Sequence, residues 1–351
     1  MTPGRLQSMV RRGDVIEGRS CRGWSLAGLD LSGGVFRQVD FRGVDLSHAD
    51  LRESQFIECD FSGARLVEAD LRQGAMLDCS LPDACLAGAA MDEAVLGNCR
   101  IERGDFERAA LRETKFNQTV LDGSRFFTDA LEKTVFFECA LDGTRFDGGV
   151  FKGAIFYQLD LRRASLAGAR FDNAIFVEAD LRGQDLSNQH FRLSQFTDAR
   201  LDDCSLQRAG LEQCVFKGAS MERAVLAGAQ APYAMFPEAL LRGADCRGAN
   251  FDQSAWVDAQ LDGADFSGSS LVQAVLHRAR AEGARFNATQ LRYADFSYAD
   301  LRGADFREAR FERTKIHRAL TQDTRWGHRG GLLEKDDELF EAELWSAAKH
   351  R

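Results

Sequence analysis

Residues 294–306 read Ala294-Asp295-Phe296-Ser297-Tyr298-Ala299-Asp300-Leu301-Arg302-Gly303-Ala304-Asp305-Phe306. Three times in succession a small residue, an Asp and a large apolar residue recur at a spacing of five. The count extends outward in both directions. Every fifth residue from Leu26 to Ile316 is a large apolar side chain, except Ala231, Cys246 and Ala281, and no insertion breaks the phase. Neither the helical period of 3.6 nor the strand period of 2 fits this clock. A five-residue unit with a large and a small apolar residue two apart holds one short extended piece, with both side chains on the same face of the pleat. The remaining positions, rich in Gly, Arg, Asp and Ser, turn a corner. No unit buries its own apolar side, so the units must stack.

These residues resemble the pentapeptide-repeat family, whose motif is Ala-(Asp/Asn)-Leu-x-x. Ala69-Asp70-Leu71, Ala179-Asp180-Leu181 and Ala299-Asp300-Leu301 match it directly, and the resemblance covers roughly residues 24–320. It implies an all-β solenoid, a right-handed quadrilateral parallel β-helix with four pentapeptides per coil. A second period in the sequence agrees. Phe recurs at 36, 56, 116, 136, 156, 176, 196, 216, 236 and 296, all in one 20-residue phase, whereas the phase of Phe41 and Phe61 is mostly Leu. Numbering sides from Leu26, the Phe stack is the third side. The expected rod has about 15 coils over residues 16–320. Residues 1–15 form a flexible segment or a cap, and residues 321–351 a helical cap or dimerisation tail.

Composition narrows the function. The 351 residues carry a formal net charge of -9, which disfavours direct nucleic-acid binding. The N-terminus has no apolar signal run and no stretch approaches a membrane span, so the expectation is cytoplasmic, with reduced thiols. Six of the nine cysteines, Cys59, Cys79, Cys99, Cys139, Cys204 and Cys214, occupy the small inward position. The first three are 20 apart and stack directly. Parallel side chains on neighbouring coils make poor disulfides, and no Cys/His spacing suggests zinc. The six histidines are scattered. No nucleophile elbow, P-loop, dinucleotide or metalloprotease pattern occurs. The reading is a non-enzyme without cofactor, catalytic residues or metal.

Charges fall in rows. On the second side Arg112, Glu132, Lys152, Asp172, Arg192 and Glu212 alternate in sign coil by coil. On the fourth side Glu102, Asp122 and Asp142 stack with no relief in their own row, leaving open a bound cation or basic partner. The third side places apolar residues outward as well as inward. Val135, Ile155 and Ile175 belong to one outward row, and Phe137, Tyr157 and Val177 to another. Beside them runs a row of acids and amides that includes Glu138, Glu178 and Asp198. A contiguous exposed apolar strip marks an interface. In the tail, Leu339, Phe340, Leu344 and Trp345 are candidates for capping the last coil or joining two rods, with Phe340 and Leu344 on one helical face.

The favoured function is a bacterial protein-interaction scaffold or adaptor with a protein partner. The resemblance offers two alternatives: a DNA-mimicking protein that binds DNA gyrase or topoisomerase, and an accessory of a secretion system such as type VI. Arg residues that interrupt many rows, among them Arg162, Arg182, Arg292 and Arg302, count against the mimic.

Overall fold

The computed structural model describes residues 2–128 and 131–349. The chain divides into two compact units, Met1–Asp180 and Leu181–Arg351. Each unit is a parallel β-solenoid in which residue i pairs with residue i + 20. In the N-terminal unit Ser20, Ser25 and Asp30 pair with Asp40, Asp45 and Asp50, and Val35 pairs with Gln55. Four pairings per coil make four sides. In the C-terminal unit Ser205, Gly210, Val215 and Ser220 pair with Val225, Gln230, Met235 and Leu240. The two units together wind about 16 turns.

Backbone bonds between coils set this register. Leu31 N–H donates to the Asp50 carbonyl at 2.8 Å, and Asp50 N–H donates back to Leu29 at 2.9 Å. Leu226 and Asp245 repeat the arrangement in the second unit, at 2.7 Å to Asp245 and 2.9 Å to Ala224. The centres point inward and stack. Phe116, Phe136 and Phe156 are buried with successive ring separations of 5.1 and 5.4 Å. In the second unit Phe196, Phe216, Phe236 and Trp256 stack at 4.9, 4.9 and 3.9 Å. The buried Trp256 indole N–H is satisfied by Ser254 Oγ at 2.7 Å, as an interior polar atom requires.

The corners explain the Asp and Arg of the repeat. Asp50, just before the centre, accepts the Arg52 backbone N–H at 3.2 Å, and the Arg52 guanidinium forks onto both carboxylate oxygens at 2.9 and 2.6 Å. The same Asp-centre-Arg fork recurs at Asp40–Arg42, Asp70–Arg72, Asp160–Arg162, Asp245–Arg247 and Asp300–Arg302. The Arg42 fork holds the Asp40 carboxyl at about 2.

One side of the N-terminal unit differs from the rest. Its third side is an eight-stranded parallel sheet of short strands, from Ile16–Glu17 and Val35–Arg37 through to Val135–Phe137 and Ile155–Tyr157. Elsewhere the small residue closes a tight turn onto its centre, as Ala49 N–H does onto Leu46 at 3.0 Å. On this side the matching position holds Val39, Cys59, Cys79, Cys99, Thr119, Cys139 and Leu159. That turn is absent here, and the thiols and the hydroxyl donate to the centre carbonyl one coil earlier: Cys79 Sγ to Phe56 at 3.4 Å, Thr119 Oγ1 to Leu96 at 3.1 Å, Cys139 Sγ to Phe116 at 3.3 Å. The cysteines therefore fill volume and satisfy backbone. Burial pushes the Cys139 thiol up to about 11.

Both termini carry helices. The N-terminal segment is not an open coil: α1, Pro3–Arg11, is capped by Thr2 and buries Leu6 and Val10. At the other end the 20-residue pairing continues past Ile316, with Asp305–Phe306 against Arg325–Trp326. It then shortens by two, Thr314 pairing with Leu332. Residues 321–333 thus extend the solenoid, and helix α2, Asp337–Lys349, follows. The expected apolar docking through Leu344 is corrected. Glu343 is the hub, accepting from Arg318 Nε at 2.6 Å, from the Tyr298 hydroxyl and lying 3.3 Å from the buried His317 Nε2. Lys315 Nζ holds Asp336 at 2.6 Å. Leu344 and Trp345 are 56% and 64% exposed, because Glu343 and the half-buried Phe340, both against Arg318, take the inner position.

Two measurements follow from this packing. Phe156→Ala removes a ring from the middle of a stack and should lower stability by ~3–5 kcal/mol in urea unfolding; a loss below ~1 kcal/mol would place Phe156 outside the core. Arg318, then Tyr298, lower the Glu343 carboxyl from 4.5 to about 2. A depressed carboxyl stabilises docking above its ordinary range, and that contribution is lost as pH falls from 4.5 toward 2. Protection of α2 from proteolysis or hydrogen exchange should fall in that window, and Glu343→Gln should show the released state at neutral pH.

Candidate functional site

The apolar strip lies on the eight-stranded side of the N-terminal unit. Register places Ile155 directly against Val135 and Tyr157 against Phe137. Ile175 bridges Ile155 in turn. Val135, Phe137, Ile155, Tyr157, Ile175 and Val177 are all half-buried. Their backbone alternates with the inward centres Phe136, Phe156 and Phe176, so each outward side chain leans on its neighbours one coil away. The Phe137 and Tyr157 rings stack at 5.1 Å and 2°. The next strand toward the N-terminus, Lys115–Asn117, interrupts the strip with an exposed charge and an amide.

The neighbouring row interleaves acids with amides. Its carboxylates receive amides from the adjacent coil. Gln118 Nε2 donates to Glu138 at 2.8 Å, Gln158 Nε2 to Glu178 at 2.7 Å, and Gln38 Nε2 to Glu58 at 2.7 Å. From Gln118 to Glu178 amide and acid alternate, which avoids stacking like charges at strand spacing. Asp198 belongs to the C-terminal unit, where it is exposed and its N–H donates to the Lys217 carbonyl at 2.9 Å.

The other charge rows also find partners across rows. Arg100 holds Glu102 at 2.6 Å, Arg163 holds Asp142 at 2.9 Å, and Asp122 accepts the Asp142 N–H at 2.8 Å. The expected unrelieved carboxylate stack is therefore relieved by arginines outside its own row. Arg112 lies 3.7 Å from Glu93 and 3.9 Å from Glu113, and Lys133 lies 3.1 Å from Glu113. A surface cleft of about 270 Å³ on the second side is lined by Arg52, Arg72, Arg112, Asp92, Glu53 and Glu93. Arg52 and Arg72 there are engaged by Asp50 and Asp70. No group of His, Cys, Asp and Glu among the described residues has metal-binding geometry, and no helix among them is long and apolar enough to cross a membrane.

A second surface escaped the sequence reading. In the C-terminal unit Tyr233 is 52% and Met235 46% exposed. The signal was present in the stretch from Ala224 to Pro237, which contains no charged residue. On the tail, Leu339 and Phe340 are half-buried, with Lys335 Nζ 4.4 Å from the Phe340 ring centre.

No curated protein sequence matches the chain. Among solved structures it is similar to QnrB1, a plasmid-mediated fluoroquinolone resistance protein, at 19% identity over 51% of this chain and 87% of that one, with a TM-score of 0.27. HetL, a pentapeptide repeat protein involved in heterocyst differentiation regulation in the cyanobacterium Nostoc, is 20% identical over 90% and 97%, with a TM-score of 0.17. A pentapeptide repeat protein of the Arabidopsis thaliana thylakoid lumen is 26% identical over 34% and 66%, with a TM-score of 0.19. The model of pentapeptide repeats matches in 8 copies, over stretches that cover residues 25–98, 134–255 and 259–320. Most of the chain is matched, and the chain belongs to the pentapeptide-repeat family.

Proposed function

We propose that this protein is a non-enzymatic interaction scaffold that binds a protein partner through the third side of its N-terminal unit. One observation carries the reading: apolar side chains stand outward on consecutive coils there, at Val135 and Phe137, Ile155 and Tyr157, and Ile175 and Val177. The other sides meet the same inward constraint without needing this. Apolar surface of this kind gains free energy when a partner removes it from water, at ~25 cal/mol per Å². Tyr157 is a common anchor type, presenting a flat ring and a polar tip. The hydrogen-bonded sheet beneath holds the rings in place, which lowers the entropy lost on binding. Glu138 and Glu178 at the edge suit a partner with basic groups.

A surface that imitates a DNA duplex presents dense unopposed negative charge. The amide-acid alternation at Glu138 and Glu178 and the Asp-centre-Arg forks support the scaffold reading over the gyrase-binding alternative. The exposure of Leu344 and Trp345 supports a further role for α2 in joining two copies.

Partner capture from the native host separates these readings. Phe137→Ser with Tyr157→Ser should leave far-UV dichroism unchanged and weaken capture about 10-fold or more. Reversing Glu138, Glu178 and Asp198 to Lys should matter less, and a stronger, salt-dependent effect of the reversals would favour the DNA mimic. Removing residues 334–351 should halve the mass measured by light scattering if α2 joins two copies; an unchanged mass rejects that role.

A further inference from the structure

We infer that the C-terminal unit carries a second docking surface, centred on Tyr233 and Met235 at the corner between its second and third sides. Its occupant is a segment of a partner protein that presents apolar side chains flanked by Lys or Arg. None of the strip residues proposed above belongs to this surface.

The apolar part is built across coils. Met235 pairs with Val215 on one side and Ala255 on the other, and Ala255 pairs with Val275. Tyr233 sits in the neighbouring corner row, between Gln213 and Gln253. Gln213 N–H donates to the Pro232 carbonyl at 3.1 Å, and Gln253 Nε2 donates to Tyr233 Oη at 3.1 Å. Pro232 and Pro237 each follow a centre. Their rings restrict φ and stiffen both corners of the coil that displays Tyr233 and Met235.

The backbone at Tyr233 argues that its ring is not there for the fold. Its φ is +60°, where Gly is unstrained and a bulky side chain is not. In the N-terminal unit the non-glycine residues at such corners are all polar. Three of the four tyrosines in the chain, Tyr233, Tyr293 and Tyr298, occupy these corners in the C-terminal unit. Two have structural work. Tyr293 Oη donates to Glu312 at 3.3 Å, and the Tyr298 hydroxyl donates to Glu343 of α2. Tyr233 only receives an amide, and over half its surface faces solvent. A strained residue that the fold does not require points to binding.

The rim decides the partner's charge. Asp198 and Glu238 are exposed on this rim and Glu212 is half-buried there. Asp252 adds a carboxylate whose Oδ1 accepts the Val272 N–H at 3.0 Å. Asp258 is already matched by Arg278 at 2.7 Å, and Lys217, with Arg192 next to Glu212 in its row, supplies opposing charge. An acidic rim around an apolar centre repels nucleic acid and an identical face of a second copy. It attracts Lys and Arg.

The test uses a displayed library of short random peptides selected on the full chain, with enriched peptides then synthesised, labelled and titrated. Enriched sequences should combine aromatic or aliphatic residues with Lys or Arg. Tyr233→Gly and Met235→Gln should each weaken them about 10-fold or more. The double Ser variant at Phe137 and Tyr157 should bind them unchanged, so failure here is distinct from failure of the first surface. Tyr233→Gly should keep or raise the melting temperature, because Gly suits this corner. The proposal is overturned if no peptide is enriched, if neutral or acidic peptides bind equally well, or if both substitutions leave affinity unchanged. It is also overturned if Tyr233→Gly lowers the melting temperature by several degrees without loss of binding, or if sedimentation shows self-association that Met235→Gln abolishes.

Discussion

The backbone ladder between residues i and i + 20 is the constraint on which everything else in this protein depends. Each coil offers its N–H and C=O groups to the coils before and after it, and buried backbone groups must be paired. One inserted residue would displace four sides at once. That is why the five-residue phase runs unbroken from Leu26 to Ile316. Where the register does shorten, at Thr314 against Leu332, the solenoid gives way to α2.

A ladder this strict also turns single choices into rows. A ring at Phe136 finds Phe116 and Phe156 above and below it, so dispersion and burial add along the stack. A charge meets its copy at strand spacing unless something intervenes. The chain answers with three devices: the Asp-centre-Arg fork, the amide-acid alternation of Gln118 with Glu138, and arginines reaching across rows, as Arg163 does to Asp142. These exposed pairs are individually weak. Their value lies in removing repulsion that every additional coil would repeat.

The same logic makes deviations informative. On the third side the tight turn is absent, Cys and Thr there bond to the coil before, and the N-terminal unit flattens into a continuous sheet. Its outward rows then carry Phe137 and Tyr157 on a rigid base. In the C-terminal unit the deviation is a bulky side chain at a corner suited to glycine. In both places the repeat departs from its own economy at the surface, whereas the core changes little.

The sequence by itself determined the solenoid, its four sides, the inward centres and the outward apolar rows, because a period of five within a period of twenty admits few other arrangements. It also located Val135, Phe137, Ile155 and Tyr157, since alternation across a pleat is local. Contacts between rows were decided only in three dimensions. Glu102 and Asp142 are relieved by Arg100 and Arg163 from outside their own row, and the acids Glu138 and Glu178 are bound by amides exactly one coil distant. The solenoid also runs on past Ile316, where Trp326 keeps the 20-residue register and stacks on Phe306 at 4.9 Å before the pairing shortens. Helix α2 presents Glu343 inward and Leu344 outward because Arg318, Tyr298 and His317 converge from two coils on one carboxylate. Apolar periodicity within the helix carries no record of that convergence.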